Sequence, residues 1–233
     1  MPASLARPSA TPPERLAAGP LVLRRVEADD APVVAAAVGA SLAHLRPWMA
    51  WATPEAADVR TQLLRVAEAD ELWETGAGFI YVMIARNSMP DGPPGPDGPP
   101  GPAGSRIDPD GEFVGTIGMH RRAVDDAVEI GYWIASAKTR RGYATAAARA
   151  LTPVALELSR TRRVEIHCDE ANSASAGVPR KLGYRLDRVE AHEREAPGER
   201  GRRMIWVWDP PGGTAGAEWS TRPGGRAARA GAG

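Results

Sequence analysis

The sequence contains a single cysteine, Cys168, which excludes an intrachain disulfide and is typical of proteins from a reducing compartment. It lacks any run of apolar residues approaching the ~20 that a membrane-spanning helix needs. Its first residues, MPASLARPSATPPERLAAG, lack the apolar stretch of a secretory signal. We therefore expect a cytoplasmic protein that has no membrane partner.

Net charge is also lacking, because 29 basic residues balance 29 acidic ones. A balanced chain has no bulk attraction for nucleic acid, so we predict no nucleic-acid partner. The loops GxxxxGK[ST] and GxGxxG are absent, which excludes two common modes of nucleotide binding. His44 and His120 have no metal-ligand spacing with Asp, Glu or Cys, and we expect no metal.

The 25 glycines and 22 prolines are concentrated in three segments. This distribution predicts a disordered N-terminal tail (1–19), a folded domain (20–209) that contains a flexible insertion (87–111), and a disordered C-terminal tail (210–233). Within the insertion, GPPGPDGPPGPAG has glycine at every third position, as collagen does. A short turn would ordinarily join the strands on either side of it, so we interpret it as a loop rather than a triple helix.

Hydrophobic periodicity predicts a mixed α/β domain. Seven segments have the pattern of strands: Leu21–Val26, Phe79–Arg86, Glu112–Arg121, Ala127–Ala135, Arg163–Asp169, Tyr184–Glu195 and Arg202–Trp208. Helices are predicted after Asp30, after Thr53, over TAAARALTPVALELSR and from Asn172. This order favours a mixed sheet with helices on both faces and a right-handed parallel crossover from Ala127 to Asp169.

The stretch GYWIASAKTRRGYATAAARAL places a glycine and small residues where a strand turns into a helix. The first amides of a helix have no intrahelical partners and carry the positive end of its dipole. Gly142 allows a ligand to approach the backbone closely, and Arg140 and Arg141 add positive charge. The stretch therefore indicates a pyrophosphate site, with an ordinary strand-to-helix turn as the alternative.

This stretch resembles the acetyl-CoA-binding motif [QR]-x-x-G-x-[GA] of the GNAT acyltransferase superfamily, with Thr139 at the first position. The segments HLRPWM, EIGYWI and VEIHCDEANSASAGVPRKLGY resemble the RimJ/RimL-like branch of N-terminal acetyltransferases. The resemblance implies a seven-stranded, mostly antiparallel sheet with a central, splayed parallel pair. It also implies acetyl-CoA as co-substrate and a primary amine as acceptor.

The resemblance implies a set of CoA-binding residues. The exposed backbone of Trp133, Ile134 and Ala135 would pair with the pantetheine arm. The pyrophosphate would lie against Arg140, Arg141, Gly142, Tyr143, Ala144 and Thr145. Asn172 would lie beside the thiol end, although it is equally suited to cap its helix. Deletion of residues 90–104 is expected to leave CoA binding intact.

Attack of an amine on a thioester needs a general base and a proton donor for the thiolate. Glu129 is our first choice as base, with Glu193 and Glu195 as rivals that share one face of the predicted strand, and each is otherwise a solvated charge. The resemblance makes Ser175 the proton donor. Cys168 and His167 are adjacent on a strand and point to opposite faces, so we expect Cys168 to be buried and inert.

The acceptor side is predicted from the aromatic segment HLRPWMAW. Arg46, Trp48 and Trp51 are candidate acceptor residues, with core packing or surface charge as the alternative for each. The expected function is transfer of an acetyl group to a protein N-terminal α-amine or a small-molecule amine. A succinyl-CoA-dependent transferase and a non-catalytic acyl-CoA-binding module are the alternatives, and a homodimer is an assembly that the sequence allows.

Overall fold

A computed structural model describes residues 11–86, 111–122 and 126–209. Within these ranges the chain forms eight strands and four α-helices. The strands are β1 (Arg15–Ala18), β2 (Leu21–Arg25), β3 (Gly78–Arg86), β4 (Gly111–Arg121), β5 (Ala127–Ile134), β6 (Arg163–Asp169), β7 (Arg185–Ala191) and β8 (Arg202–Trp208). The helices are α1 (Ala31–Leu45), α2 (Val59–Thr75), α3 (Tyr143–Glu157) and α4 (Ser173–Leu182).

All eight of these strands lie in one mixed sheet, in the order β1-β2-β3-β4-β5-β6-β8-β7. The pair β5–β6 is parallel, and the other pairs of the described sheet are antiparallel. Helix α3 carries the chain from the end of β5 back to the start of β6, as the predicted crossover requires. The predicted mixed α/β fold is confirmed, although the described sheet has eight strands rather than seven.

The additional strand is β1, which lies inside the segment predicted as a disordered tail. Ala18 pairs with Leu21 across a two-residue loop in which Gly19 has a φ of 61°. A positive φ at this position suits a tight hairpin turn, and glycine adopts it without steric cost. The prediction was wrong because pairing with β2 decides the conformation of Arg15–Ala18, a segment without β-branched residues.

The sheet is covered on both faces. Helices α3 and α4 pack on one face with residues such as Val128 and Ile130 of β5. Helices α1 and α2 pack on the other face with Trp133 of the same strand. Alternate residues of a strand point to opposite faces, so β5 contributes to both cores. Only this central strand and its neighbours are sandwiched in this way, and they position the candidate site.

The strand β7 ends at Ala191, four residues before the predicted end at Glu195. Glu193 and Glu195 therefore lie in the loop that joins β7 to β8, not on a strand. The carboxylate of Glu199 accepts hydrogen bonds from the N–H groups of Glu195 (2.7 Å) and Ala196 (3.1 Å), which folds this segment into a turn. This local hydrogen bonding replaces the continued β ladder that the alternating pattern suggested.

Three predicted segments lie wholly or mostly outside the described residues. These are the first ten residues of the N-terminal tail, the Gly/Pro-rich insertion and the C-terminal tail from residue 210. The predicted insertion included Gly111, which is instead the first residue of β4 and pairs with Arg86 of β3. The expectation for deletion of residues 90–104 stays a prediction.

Candidate active site

The central parallel strands β5 and β6 separate shortly after they meet. Their register contains three Cα pairs, which end at Glu129↔Glu165. Beyond this point β5 continues to Ile134 beside β4, whereas β6 continues to Asp169 beside β8. A gap therefore opens between two strands that are each paired on their other edge only.

Main-chain polar groups of β5 face this gap. The N–H of Ala135 donates to the C=O of Val114 at 2.8 Å, beside β4. Because an antiparallel ladder directs the polar groups of alternate residues toward the same neighbour, those of Trp133 also face β4, and those of Tyr132 and Ile134 face the gap. Ile134 thus has the free backbone that was predicted, but the expectation for Trp133 and Ala135 was wrong, since they complete the ladder with β4.

A cavity of about 410 Å³ lies at the gap. Its walls come from β5, β6, the start of α4, the segment after α1 and the loop after β7. Five predicted site residues line it, namely Trp48, Glu129, Asn172, Ser175 and Glu195. The remaining predicted residues, including Glu193, lie outside its walls.

The predicted pyrophosphate loop forms the N-terminus of α3. Gly142 is the N-cap residue, has a φ of 81° and provides no side chain to cap the helix. The N–H of Ala146 bonds the C=O of Gly142 at 2.9 Å, which leaves the three preceding helical N–H groups, those of residues 143–145, without an intrahelical acceptor. Arg140 and Arg141 are exposed beside them. The segment has the amides and the positive charge that an anionic ligand requires.

Two neighbouring side chains of this loop are engaged elsewhere. The hydroxyl of Thr139, at the first motif position, donates to the C=O of Ser136 at 3.0 Å. The ammonium of Lys138 forms an ion pair with Glu112 on β4. Arg140 and Arg141 are therefore the cations of this loop that remain available for a ligand.

The start of α4 brings two predicted residues to the gap. The side-chain oxygen of Asn172 accepts a hydrogen bond from the N–H of Ser175 at 3.0 Å, so Asn172 is the N-cap of α4. The hydroxyl oxygens of Ser175 and Tyr132 lie 3.3 Å apart. Burial raises the pKa of Tyr132, so this phenol stays protonated at neutral pH and can donate to Ser175.

Glu129 belongs to a network of charged groups at the base of the gap. Its Oε2 lies 3.2 Å from Nη1 of Arg122 and 3.6 Å from Nδ1 of His167. Nη2 of Arg122 donates to Nδ1 of His167 at 3.0 Å, and because a guanidinium only donates, that nitrogen carries no proton. The opposite nitrogen, Nε2, therefore donates to Oε2 of Glu165 at 2.7 Å.

Glu165 is the buried end of this network. The hydrogen bond from His167 lowers the pKa of Glu165, burial opposes this, and a hydrogen bond from Arg163 at 2.7 Å lowers it further, to about 2. The side chain of Glu165 is 3% exposed, yet it is ionised at neutral pH because both partners satisfy its oxygens. The network thus holds Glu129 in place through His167 and Arg122.

The loop after β7 is fixed by a second buried carboxylate, Asp169. Its Oδ2 accepts hydrogen bonds from the N–H groups of Arg200, Gly201 and Arg202, all at 3.0–3.1 Å. Nε2 of His192, at the other end of the loop, lies 3.4 Å from the same oxygen. Asp169 therefore ties both ends of the loop that carries Glu195 to the end of β6.

The two rival glutamates of this loop differ in position. Glu195 lines the cavity, and its carboxylate has no ion-pair partner among the described residues. Glu193 is exposed and lies outside the cavity. The loop packs against the segment after α1, where the N–H of Gly198 donates to the C=O of Pro47 at 2.8 Å. This contact brings Glu195 to the same cavity as Trp48.

The three predicted acceptor residues separate in the structure. Trp48 lines the cavity, whereas Trp51 packs edge-on against Trp133 with ring centroids 6.0 Å apart. The guanidinium of Arg65 covers the other ring surface of Trp51 at 4.9 Å, so the core-packing interpretation describes Trp51. Arg46 is exposed at the C-terminus of α1 and does not line the cavity.

Sequence reasoning missed several polar residues of the cavity: Arg122, Tyr132, His167, Asp169, His192, Glu199 and Arg203. Strand alternation places His167 and Asp169 on the same face as Glu165, which was the available signal for those two. Cys168 also lines the cavity and is only half-buried. Burial raises the pKa of its thiol, which disfavours the reactive thiolate.

Two further searches covered residues 11–86, 111–122 and 126–209. No group of three or more His, Cys, Asp or Glu side chains within this part of the chain is arranged to hold a metal ion. No helix in it is long and apolar enough to cross a membrane.

A gap between central parallel strands, beside a helix N-terminus with free amides, defines an acyltransferase of the GNAT fold. The family description "Acetyltransferase (GNAT) domain" matches residues 20–185, and the chain belongs to this family of acetyltransferases. The resemblance found in the sequence is confirmed.

One curated relative is the protein of Bacillus subtilis (strain 168) named "Putative ribosomal N-acetyltransferase YdaF". The chain is 38% identical to it over 76 residues, which are 32% of this chain and 42% of that protein's length. The chain therefore aligns with less than half of that relative.

Solved structures share the fold. The RimL ribosomal L7/L12 alpha-N-protein acetyltransferase in complex with coenzyme A superposes with a TM-score of 0.68 at 17% identity, covering 84% of this chain and 98% of that chain. Mycobacterium smegmatis RimJ in complex with CoA-disulfide gives a TM-score of 0.66 at 22% identity, covering 83% of each chain. At these identities the likeness extends to the fold alone.

Proposed function

We propose that this acetyltransferase moves an acetyl group from acetyl-CoA to a primary amine, either a protein N-terminal α-amine or a small-molecule amine. The observation that carries the proposal is the position of the cavity at the gap between β5 and β6. There, free main-chain groups of β5 and the hydroxyl of Ser175 border the same space as unpaired carboxylate Glu195. The relatives named for ribosomal-protein acetylation, and the neighbours bound to CoA, support it.

The residues present fit acetyl-CoA. The free amides of residues 143–145 and the charges of Arg140 and Arg141 would hold the pyrophosphate. The main-chain groups of Tyr132 and Ile134 would bond the pantetheine arm as an added strand would. Asn172 would hold the start of α4 beside the thiol end, because it caps the helix that carries Ser175.

Acetyl-CoA supplies the acetyl group as a thioester, in which the acceptor nitrogen replaces the sulfur. The N–H of Ile134 points into the gap and would polarise the thioester carbonyl. Glu195 would accept the proton that the acceptor nitrogen loses as its bond to carbon forms. Ser175 would donate its hydroxyl proton to the leaving sulfur, and Tyr132 would donate a hydrogen bond to the serine oxygen.

We place Glu195 ahead of Glu129 as the general base. The carboxylate of Glu129 is held by Arg122 and contacted by His167, and an ion pair with a guanidinium makes a carboxylate a weaker base. Glu195 has no such partner among the described residues, and it comes from the loop that faces Trp48. Glu129 would instead keep Arg122 and His167 in place at the base of the gap.

The proposal is tested first by donor binding. Purified protein is heated with acetyl-CoA, succinyl-CoA, free CoA or ATP, and the melting temperatures are compared. We expect the CoA compounds to stabilise the protein and ATP to have less effect. At 100 times Kd a ligand adds about 2.7 kcal/mol, which for a domain of this size raises the melting temperature by about 5–11 °C.

Gly142→Val removes the predicted cradle, because its side chain would enter the space above the free amides. Gly76→Val is the matched control, since both glycines have a positive φ (81° and 69°) and neither has an atom within 4 Å of an added Cβ. Both variants should lose similar stability, but only Gly142→Val should lose the shift with acetyl-CoA. Absence of a shift with every CoA compound in the wild-type protein would overturn the proposal.

The ranking of the thioesters then identifies the donor. A larger shift and faster turnover with succinyl-CoA would replace acetyl-CoA as the donor. Binding of CoA without turnover of any amine would indicate a non-catalytic module. The cytoplasmic location and the homodimer stay predictions.

A further inference from the structure

Arg203 is a guanidinium in the acceptor part of the cavity that the fold leaves unused. We propose that it binds an anionic group of the acceptor, so that the preferred substrate carries a carboxylate or phosphate close to its primary amine. This inference rests on the proposed function, because it concerns the acceptor of the same reaction. It assigns the chemical class of the acceptor and a residue that selects it.

The side chain of Arg203 projects to the side of the sheet opposite α3 and α4. Its neighbours on β8, Met204 and Trp206, pack in the core that α3 and α4 cover. Successive residues of a strand point to opposite faces, so Arg203 faces the side of Trp48 and the loop after β7. The free amides for the pyrophosphate belong to α3, on the far side of the gap. Arg203 is therefore placed to meet the acceptor rather than the phosphates of CoA.

The carboxylates nearest to Arg203 in the sheet are already engaged. Asp169 is directly opposite on β6, but its Oδ2 accepts three backbone N–H groups and its Oδ1 accepts the N–H of Ala171 at 2.9 Å. Glu190 is opposite on β7 and pairs with Arg188 at 3.1 Å. Arg203 has no ion-pair partner among the described residues, although it is partly buried and lines the cavity.

The other cationic groups of the cavity are committed to the protein itself. Arg122 pairs with Glu129, and His167 donates to Glu165. Glu195 is in turn a cavity carboxylate without a described ion-pair partner, and an ammonium would complement it. One unpaired carboxylate and one unpaired guanidinium in the same cavity are complementary to a molecule that carries both charges. The planar guanidinium also matches carboxylate and phosphate in two-point geometry.

A side chain on the second residue of a peptide has its charge within about 7 Å of the α-amine, since consecutive Cα atoms lie 3.80 Å apart. Short peptides therefore provide matched acceptors. The probes are four tripeptide amides, Ser-Ala-Ala, Ser-Asp-Ala, Ser-phosphoserine-Ala and Ser-Lys-Ala, each assayed with acetyl-CoA for kcat and KM. The aspartyl and phosphoseryl peptides distinguish the two anions.

We expect the wild-type protein to prefer an acidic peptide over Ser-Ala-Ala by ~10–100-fold in kcat/KM, mainly through KM, because hydrogen bonds to charged groups have this strength. Arg203→Gln should remove the preference and change the neutral peptide by less than about threefold. Arg203→Lys should keep part of it, and Arg203→Glu should favour Ser-Lys-Ala. Arg188→Gln, an exposed arginine on β7, is the control and should keep the wild-type preference.

The outcomes separate this inference from the proposed function. Arg203→Gln should retain the melting shift with acetyl-CoA, which shows that the variant is folded and binds the donor. Donor binding in the wild type together with preference for the neutral or basic peptide, or with no use of either acidic peptide, overturns the acceptor class alone. An acidic preference that survives in Arg203→Gln overturns the role of Arg203. Failure of the wild-type protein to bind any CoA compound overturns both.

Discussion

Nη1 of Arg122 lies 3.2 Å from Oε2 of Glu129, so the carboxylate closest to the base of the gap is also the one that the protein neutralises. The pair joins β4 to β5 across adjacent strands, where it supports the network that ends at the buried Glu165. A group in this arrangement holds its neighbours in position. The proton-accepting role is better suited to the unpaired carboxylate of Glu195 on the opposite wall.

The first prediction separates these two glutamates. Glu195→Gln keeps the size of the side chain and removes its basicity, so kcat/KM should fall ~10²–10⁴-fold. Glu129→Gln should lose less than ~10-fold, because it weakens a partly exposed ion pair. Turnover of a good acceptor amine is measured at saturating acetyl-CoA.

Glu157→Gln, an exposed glutamate at the end of α3, is the control for loss of one negative charge. The melting shift with acetyl-CoA should be preserved in all three variants. A larger loss in Glu129→Gln than in Glu195→Gln would reverse the assignment of the base.

The second prediction concerns the two hydroxyls that lie 3.3 Å apart at the start of α4. Ser175→Ala removes the proposed donor to the leaving sulfur, and kcat should fall ~10²-fold with little change in the KM for the acceptor. Tyr132→Phe leaves the serine in place and should have a smaller effect on kcat. Ser173→Ala is the matched control, because Ser173 is exposed two residues earlier. Equal activity of Ser175→Ala and wild type would exclude the serine as donor.

The residue pattern predicted the order and nature of the elements well where periodicity was strong. The sequence segments Arg163–Asp169 and Arg202–Trp208 are strands with the predicted bounds. β1 was missed because four residues of low β propensity are ordered by a neighbour that is distant from them in pattern, not in sequence. Alternation also failed beyond Ala191, where a glutamate side chain captures backbone N–H groups.

The candidate site was harder to predict than the fold. The motif indicated the N-terminus of α3 from residue types alone, because free amides are a property of any helix start. The partners of a carboxylate depend on tertiary pairing, so no local pattern could show that Arg122 holds Glu129 while Glu195 stays unpaired. For the same reason the aromatic segment after α1 could not be divided into a cavity residue and a core residue.

The third prediction follows from the depressed pKa of Asp169. Burial alone would raise the pKa of this carboxyl, but hydrogen bonds from backbone N–H groups, including those of Ala171 and Arg200, outweigh it and lower the pKa to about 2. The unfolded value is about 3.9. The folded value is the lower one, so the stabilisation is complete above about pH 5 and is lost as the pH falls toward 2.

Asp169→Asn removes this contribution and part of the charge-assisted hydrogen bonding. At pH 7 the melting temperature should fall by about 4–8 °C, from a loss of about 2 kcal/mol. The difference from wild type should shrink as the pH is lowered from 5 to 2.5. Asp187→Asn is the control, since Asp187 is an aspartate paired with Arg185 and Arg188 on the surface, and such pairs contribute little. A difference that is constant with pH would contradict the charge-based account.

The fourth prediction distinguishes the two tryptophans of the segment after α1. Trp48→Ala changes a wall of the cavity, so it should raise the KM for the acceptor by about 5–10-fold through lost apolar contact. The melting temperature should change little, because Trp48 is only partly buried. Trp51→Ala removes the edge-on contact with Trp133 and the ring under Arg65, and it should lower the melting temperature by about 5–10 °C.

The two variants serve as controls for each other, since each removes one indole from the same segment. Donor binding by the melting shift with acetyl-CoA should survive in both at temperatures where they are folded. Trp51→Phe should recover most of the lost stability, because a smaller ring can still pack against Trp133. A large rise in acceptor KM in Trp51→Phe, with KM unchanged in Trp48→Ala, would move the acceptor from the cavity wall at Trp48 to the aromatic cluster around Trp51.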